Sequence, residues 1–240
     1  MMQKLFQYFL ASCSLLLFMA AQAAPQVPDT MEQRLKACSQ CHGDFGYGKL
    51  SSPEIPRLAE KPAGYLYKQM LLIQAGEGQN ATMAYAMRHL SPAYMEKIAN
   101  YYAKQRVPAQ SHATPELSDA QMQRAEQLVN KGDPALGVPS CKQCHGQALT
   151  GVKPMIPGIL NQPYDYAVAQ LNLWRSNDRS VVNTHCMWVV ANRLLKTDVE
   201  TVAAWLALQE LPDNREPVEL DELPEALPGW CDVGQSKVSL

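Results

Sequence analysis

The sequence predicts an all-α protein built from two tandem copies of one helical unit. The pattern Cys-x-x-Cys-His occurs twice, at residues 38–42 and 141–145, so the two copies lie 103 residues apart. Apolar residues recur at helical spacing after each motif, and no apolar–polar alternation competes with a helical interpretation. A chain of 240 residues has room for two domains of ordinary size.

The N-terminal segment is typical of a secretory signal peptide. An apolar run over residues 5–21 leads into Ala21-Gln22-Ala23, which matches the cleavage pattern of such signals. We therefore expect residues 1–23 to be removed on export to the periplasm. An uncleaved membrane anchor and a lipoprotein cleavage at Cys13 are the alternatives. The run is short for a membrane span, and it continues well past Cys13.

Three helices are predicted in the first unit. The first covers Met31 to Lys36, just before the Cys-x-x-Cys-His motif, and the second is the amphipathic segment from Tyr65 to Gln74. The third begins at Ser91-Pro92, because serine is a favoured N-cap and proline is favoured at the first helical position.

The second unit repeats this order of helices. Its first helix, Gln121 to Val129, is preceded by a capping box that starts at Ser118. An amphipathic helix follows from Tyr164 to Trp174. The last helix is predicted to begin at Thr197, with Glu200 completing a second capping box.

The two copies stay in register beyond the motifs. Met83 aligns with Met187 and Leu90 with Leu194, each pair at an offset of 104, and the offset changes only in loops, where insertions are tolerated. The chain is therefore a tandem duplication. We predict a signal peptide at 1–23, an N-terminal domain at 24–105, a linker at 106–117, a C-terminal domain at 118–209 and a Pro-rich acidic tail at 210–240.

Cys-x-x-Cys-His is the attachment signature of a c-type haem. Two thiols add across the two vinyl groups of the haem, and the adjacent histidine binds the iron as its proximal ligand. A thioredoxin-like redox pair is the alternative, but it does not explain the histidine that follows each cysteine pair. The predicted attachment residues are Cys38, Cys41, Cys141 and Cys144, and the predicted proximal ligands are His42 and His145.

A haem that transfers electrons without binding a substrate needs a second axial ligand, and methionine in that position raises the potential. Met83 follows His42 by 41 residues, and Met187 follows His145 by 42. We therefore predict Met83 and Met187 as the distal ligands. Met87 is the alternative in the first unit, although no methionine aligns with it in the second.

Two cysteines remain once the haem motifs and the signal peptide are set aside. Cys186 and Cys231 are predicted to form a disulfide, because leftover cysteines in an oxidising compartment usually pair. In the alternative, Cys186 is a thiolate ligand of the second haem, which would push electron density onto the iron. His185 is left without a haem role, because successive side chains point in different directions.

Together these features resemble the dihaem class I cytochromes c of the cytochrome c4 type. The resemblance lies in CSQCHG, IPRLAEKPAGYLYKQM and NATMAYAMRHLS, and again in CKQCHG, IPGILNQPYDYAVAQL and CMWVVANRL. It implies two tandem class I cytochrome c domains, each a small helical bundle around one covalently bound haem. It also implies that the carbonyl groups of Pro56 and Pro157 brace the proximal histidines, and that the haems face each other across the domain interface. The Cys186 and Cys231 pair departs from the family pattern, as does the acidic tail.

The predicted function is that of a periplasmic electron carrier with two covalently attached haem c groups. Its partners would be redox proteins: a donor dehydrogenase or cytochrome, and an acceptor oxidase or reductase. A haem subunit fixed to such an enzyme is a second hypothesis. A thiosulfate-oxidising dihaem enzyme with a Cys-ligated haem is a third, and it depends on Cys186 alone.

The net charge of the chain fits binding to other proteins and gives no indication of nucleic acid binding. The full chain carries 21 basic and 23 acidic side chains, a formal charge of −2. Loss of Lys4 with the signal peptide, together with four haem propionates, would bring the mature protein to about −7. We therefore expect charge to steer the protein to a basic patch on its partner.

Overall fold

The computed structural model describes residues 29–49, 52–77, 80–176 and 185–231. The predicted signal peptide at 1–23 lies outside the described residues. The chain divides into two compact units, Met1–Arg34 and Leu35–Leu240. The described part of the first unit contains a short helix, α1 (Met31–Arg34), and an ion pair of 2.6 Å between Arg34 and Asp29. Both Cys-x-x-Cys-His motifs lie in the second unit.

The described residues of the first repeat contribute four α-helices to the second unit: α2 (Lys36–His42), α3 (Ala63–Gln74), α4 (Ala81–Met87) and α5 (Pro92–Ala103). Helix α3 packs against both α4 and α5. The buried residues of α5 are Met95, Ile98, Ala99 and Tyr102. Their spacing places them on one face of the helix.

The second repeat has the same order of helices and adds a small hairpin. Its elements are α6 (Asp119–Asn130), α7 (Cys141–His145), β1 (Gly151–Val152), β2 (Ile156–Pro157), α8 (Tyr164–Arg175), α9 (His185–Arg193) and α10 (Lys196–Leu208). Helix α10 packs against α6 and α8, and α8 also packs against α9. The two strands pair antiparallel, with Gly151 opposite Pro157. A core cluster that includes Leu128, Val129, Val199 and Val202 joins α6 to α10.

The N-caps predicted from the sequence can be compared with the observed helix starts. Ser91 caps α5 by accepting a hydrogen bond from the backbone N–H of Tyr94 at 3.3 Å. The capping box of Ser118 and Gln121 is present at the start of α6. Both predictions are confirmed. The observed α3 and α8 begin at Ala63 and Tyr164, close to the predicted starts.

The capping box predicted for the last helix, Thr197 with Glu200, is wrong, although the helix begins within one residue of Thr197. Helix α10 begins at Lys196, and the carboxylate of Asp198 accepts a hydrogen bond from the backbone N–H of Leu195 at 3.3 Å. The same carboxylate is bound by Arg124 of α6, at 2.9 and 2.8 Å. Asp198 is 3% exposed. A buried carboxylate needs such partners, so the tertiary contact with α6 determines where α10 begins.

The segments predicted as a linker and a tail form hydrogen bonds to residues of the repeats. In the linker, Gln110 and Asn161 exchange two hydrogen bonds, of 2.9 and 2.8 Å. In the tail, the N–H of Val218 donates to the carbonyl oxygen of Gly151, and the carbonyl oxygen of Val218 accepts from the N–H of Lys153. The tail therefore extends the hairpin of the second repeat. No helix in the described part of the chain is long and apolar enough to cross a membrane.

Candidate haem sites

The first Cys-x-x-Cys-His motif occupies helix α2, with its histidine at the C-terminal end. Cys38 and Cys41 are three residues apart and so lie on one turn of the helix. The His42 side chain is buried, and its Nδ1 lies 3.0 Å from the carbonyl oxygen of Pro56. A carbonyl oxygen can only accept a hydrogen bond, so Nδ1 carries the proton and Nε2 keeps the lone pair that a metal requires.

The second motif has the same geometry. Helix α7 begins after Ser140, whose hydroxyl accepts a hydrogen bond from the backbone N–H of Gln143 at 3.1 Å. His145 is buried at the end of this helix, and its Nδ1 lies 2.7 Å from the carbonyl oxygen of Pro157. The proline and histidine contacts are those that the resemblance to class I cytochromes c implied.

Burial keeps both histidines and most of the thiols uncharged. It lowers the pKa of His42 and of His145, so each imidazole is in the neutral form that binds a metal. It raises the pKa of Cys38, and it raises the pKa of Cys141 to about 12 and of Cys144 to about 11. None of the four motif cysteines forms a disulfide.

These residues fit a haem c group. Each motif presents two unpaired thiols on one helical turn, next to a buried neutral imidazole whose Nε2 is not taken by the proline contact. The thiols can form thioether bonds to the two vinyl groups, and the imidazole can bind the iron. When bound, the haem supplies one-electron chemistry by cycling between ferric and ferrous iron.

The predicted distal methionines lie on equivalent short helices. Met83 is on α4, and its backbone N–H donates to the side chain of the N-cap Asn80 at 2.9 Å. Met187 is on α9, and both methionine side chains are half-buried. Met87, the alternative in the first repeat, is 5% exposed at the end of α4, in register with Ala191 of α9.

A pair of anchoring side chains on the neighbouring helices was not predicted. Gln74, the last residue of α3, donates to the carbonyl oxygens of Met87 and Leu90 at 2.7 and 2.9 Å. At the end of α8, Arg175 donates to the equivalent carbonyl oxygens of Ala191 and Leu194 at 2.9 and 2.5 Å. Gln74 and Arg175 are 101 residues apart, the offset of the α3 and α8 segments, so the repeat register was the available signal.

The predicted disulfide between Cys186 and Cys231 is confirmed. Their Cα atoms are 4.6 Å apart, and the bond joins residues separated by 45 positions. The bond ties the tail to α9 one residue before Met187. Next to it, the guanidinium group of Arg193 lies 5.3 Å from the centre of the Trp230 ring. The tail is therefore held on the helix that carries the predicted distal ligand.

No family model matches the chain, but curated relatives cover most of it. It is 32% identical over 193 residues to the thiosulfate dehydrogenase electron acceptor of Thiomonas intermedia, covering 80% of this chain and 88% of the relative. The protein of the same name from Stutzerimonas stutzeri is 31% identical, with coverage of 81% and 90%. Cytochrome c4 of Pseudomonas aeruginosa is 28% identical, with coverage of 73% and 85%.

Solved structures confirm the predicted fold class and family. Cytochrome c4 of Acidithiobacillus ferrooxidans matches with a TM-score of 0.60 and 26% identity, over 71% of this chain and 97% of that one. Thiosulfate dehydrogenase (TsdBA) of Marichromatium purpuratum matches with a TM-score of 0.62 and 28% identity, over 72% of this chain but only 36% of that one. The chain therefore belongs to the dihaem class I cytochromes c of the cytochrome c4 type, electron-transfer proteins with two covalently attached haem c groups.

Proposed function

We propose that this cytochrome is a periplasmic carrier that accepts electrons from a thiosulfate dehydrogenase and passes them on to another redox protein. The observation that carries the proposal is the similarity to two proteins named thiosulfate dehydrogenase electron acceptor, at 32% and 31% identity over four-fifths of the chain. Two haems accept one electron each, so one molecule can store two electrons. Export rests on the predicted signal peptide at residues 1–23.

In this proposal each haem is bound by residues of one repeat. Cys38 and Cys41 hold the first haem, with His42 and Met83 as axial ligands of its iron. The second haem is held by Cys141 and Cys144, with His145 and Met187 as axial ligands. The carbonyl groups of Pro56 and Pro157 orient the two histidines, a role that the contacts of 3.0 and 2.7 Å support.

The disulfide favours a carrier over a thiosulfate-oxidising enzyme. The enzyme hypothesis needs a thiolate at Cys186 to bind the second iron, and this sulfur is bonded to Cys231. Met187, the next residue, is the ligand that the repeat register supports. With two axial ligands on each iron, neither haem keeps an open position for substrate.

A permanent complex with the dehydrogenase is a second candidate. It is favoured by the match to thiosulfate dehydrogenase (TsdBA), where a region similar to this chain makes up 36% of a longer chain. The two candidates have the same chemistry and differ in the lifetime of the complex.

Mixing experiments test the proposal. The oxidised holoprotein, mixed with thiosulfate and catalytic amounts of a thiosulfate dehydrogenase, should be reduced at both haems. The rate should fall as salt is added, because the formal charge of about −7 expected with four propionates steers docking. The same holoprotein with thiosulfate and ferricyanide alone should show no turnover. Sustained turnover without the dehydrogenase would establish the enzyme hypothesis instead.

Co-purification distinguishes a shuttle from a fixed subunit. We expect the cytochrome to leave a size-exclusion column separately from the dehydrogenase at physiological ionic strength. Elution of both proteins in one peak would favour the permanent complex.

A further inference from the structure

Four charged side chains form a cluster at the junction of the two repeats. Arg57, Glu60 and Lys61 come from the loop between α2 and α3 and are 5%, 8% and 8% exposed. Arg215 reaches them from the tail, with its side chain 24% exposed. We call these four residues the Arg57 cluster. It contains three basic side chains and one carboxylate.

The single carboxylate of the cluster already has its partners. One oxygen of Glu60 accepts a hydrogen bond from Nη2 of Arg57. The other accepts from Nη1 of Arg215 at 3.1 Å and from the backbone N–H of Val107 at 3.4 Å. Glu60 can therefore neutralise only part of the positive charge around it.

Arg57 has a second terminal nitrogen that is not satisfied. Its Nη1 is buried and has no hydrogen-bond partner among the described residues. A buried guanidinium without a full set of acceptors is costly, so such a group is expected to face an anion. Burial, together with the positive charge of Arg215, lowers the pKa of Arg57 to about 10. Both observations indicate that Nη1 of Arg57 lacks an anionic partner.

The cluster is bonded to both loops that hold the proximal histidines. Arg57 follows Pro56, whose carbonyl oxygen contacts Nδ1 of His42. The ammonium group of Lys61 donates to the carbonyl oxygen of Gly158, which follows Pro157 in the loop that holds the second proximal histidine. An anion bound at Nη1 of Arg57 would therefore lie close to these loops.

The second repeat has no equivalent charges. At the offset of 101 that relates these loops, Gly158, Asn161 and Gln162 replace Arg57, Glu60 and Lys61. Asn161 uses its side chain to bind the backbone of Gln110. The cationic cluster is thus a property of the first repeat, and its effect on the two haems should be unequal.

We propose that Nη1 of Arg57 binds a propionate carboxylate of the haem attached to Cys38 and Cys41, and that the cluster raises the reduction potential of this haem. The inference rests on the haem ligands of the proposed function. A nearby cation stabilises the ferrous form relative to the ferric form, because reduction lowers the positive charge of the iron by one. In this proposal Arg57 binds a propionate and not the iron, so it positions the haem and adjusts its reduction potential.

The test is a redox titration of the holoprotein with Arg57→Gln. The reduction equilibrium constant of the first haem should fall about tenfold, or 59 mV for one electron, and that of the second haem by less than twofold. Arg57→Lys keeps the charge and should restore most of the loss. Lys97→Gln, at an exposed position of α5, is the matched control and should leave both potentials unchanged. The titration shows two one-electron steps, one for each haem. Met83→His lowers the potential of the first haem, so the step that moves in this variant belongs to the first haem.

Three results would overturn the proposal: a shift below twofold at the first haem, a shift confined to the second haem, or a wild-type potential that depends on chloride at constant ionic strength. The last result would identify a free anion as the ligand of Arg57. If Arg57→Gln yields no holoprotein, Glu60→Gln provides the test. It removes the competing carboxylate, so the first potential should rise, and a fall or no change would contradict the proposal.

Haem content and axial-ligand absorption are measured on every variant. Two haems per chain with intact methionine bands, but no shift in potential, would refute only the role of Arg57. Missing haems or missing methionine bands in the wild-type protein would refute the ligand set of the proposed function.

Discussion

The helices α4 and α9 occupy equivalent positions in the two repeats but are held in place differently. Each carries a predicted distal methionine at the same register, and each has its C-terminal carbonyl groups bound by the last side chain of the preceding helix. Only α9 is also tied to the tail by a disulfide. Duplication has therefore kept the position of the predicted ligand and changed the contacts that support its helix. We expect the two haems to differ in how easily the distal ligand is lost.

The largest expected effect comes from replacing the predicted distal ligands. Met83→Ala and Met187→Ala should each abolish methionine ligation at one haem and lower its potential by on the order of hundreds of mV, since axial ligands tune potentials over a wide range. Absorption spectra of the oxidised protein and a redox titration measure both effects. If either variant keeps two methionine-ligated haems, that methionine is not a ligand.

Met87→Ala is the control for the first repeat. Met87 is 5% exposed, so its truncation leaves a cavity and should cost about 2–5 kcal/mol of unfolding free energy. Both methionine bands should remain. If Met87→Ala loses one methionine band and Met83→Ala keeps both, then Met87 and not Met83 is the distal ligand of the first haem.

Features that follow from short spacings, from the repeat register or from the number of cysteines were predictable from the sequence. Ser91 and Ser118 cap helices through hydrogen bonds to the residues three positions later, and the repeat register aligned Met83 with Met187. Cys186 and Cys231 could be paired because all other cysteines were assigned. Such features need only short spacings or counts.

Features that depend on distant contacts were missed. The N-terminal capping of α10 by Asp198 depends on Arg124, which is 74 residues away. The contact between Arg215 and Glu60 spans 155 residues, and neither local pattern nor repeat register indicates it. Buried charges of this kind look like ordinary surface residues in a sequence, because their burial is decided by how the chain folds back on itself.

Removing the disulfide should have the next largest effect, and it tests whether α9 is held more firmly than α4. Replacing both cysteines, Cys186→Ser with Cys231→Ser, should cost up to about 4 kcal/mol of unfolding free energy, because the closed loop no longer restricts the unfolded chain. Exogenous imidazole should then displace the distal ligand of the second haem faster, with no change at the first. Urea denaturation and stopped-flow absorption measure the two effects.

The single variant Cys231→Ser has a separate use. It leaves a free thiol at Cys186, next to Met187. A spectrum with thiolate ligation in this variant, but not in the wild type, would show that the disulfide keeps a competing ligand away from the iron. Equal imidazole rates in the double variant and the wild type would show that the disulfide does not hold α9.

The smallest expected effect comes from the anchoring side chains. Arg175→Gln gives the second repeat the glutamine that the first repeat has at this position. It should lower the unfolding free energy by about 1 kcal/mol, because a neutral donor replaces a charged one at the carbonyl oxygens of Ala191 and Leu194. In Gln74→Ala the carbonyl oxygens at the end of α4 lose both hydrogen bonds, and the cost in unfolding free energy should be similar.

Since Arg175 and the disulfide support the same helix, their effects on the unfolding free energy should be coupled. A double-mutant cycle in urea should give a larger loss for Arg175→Gln without the disulfide than with it, whereas the loss for Gln74→Ala should be the same in both backgrounds. Equal losses for Arg175→Gln would mean that the two supports act on different parts of α9.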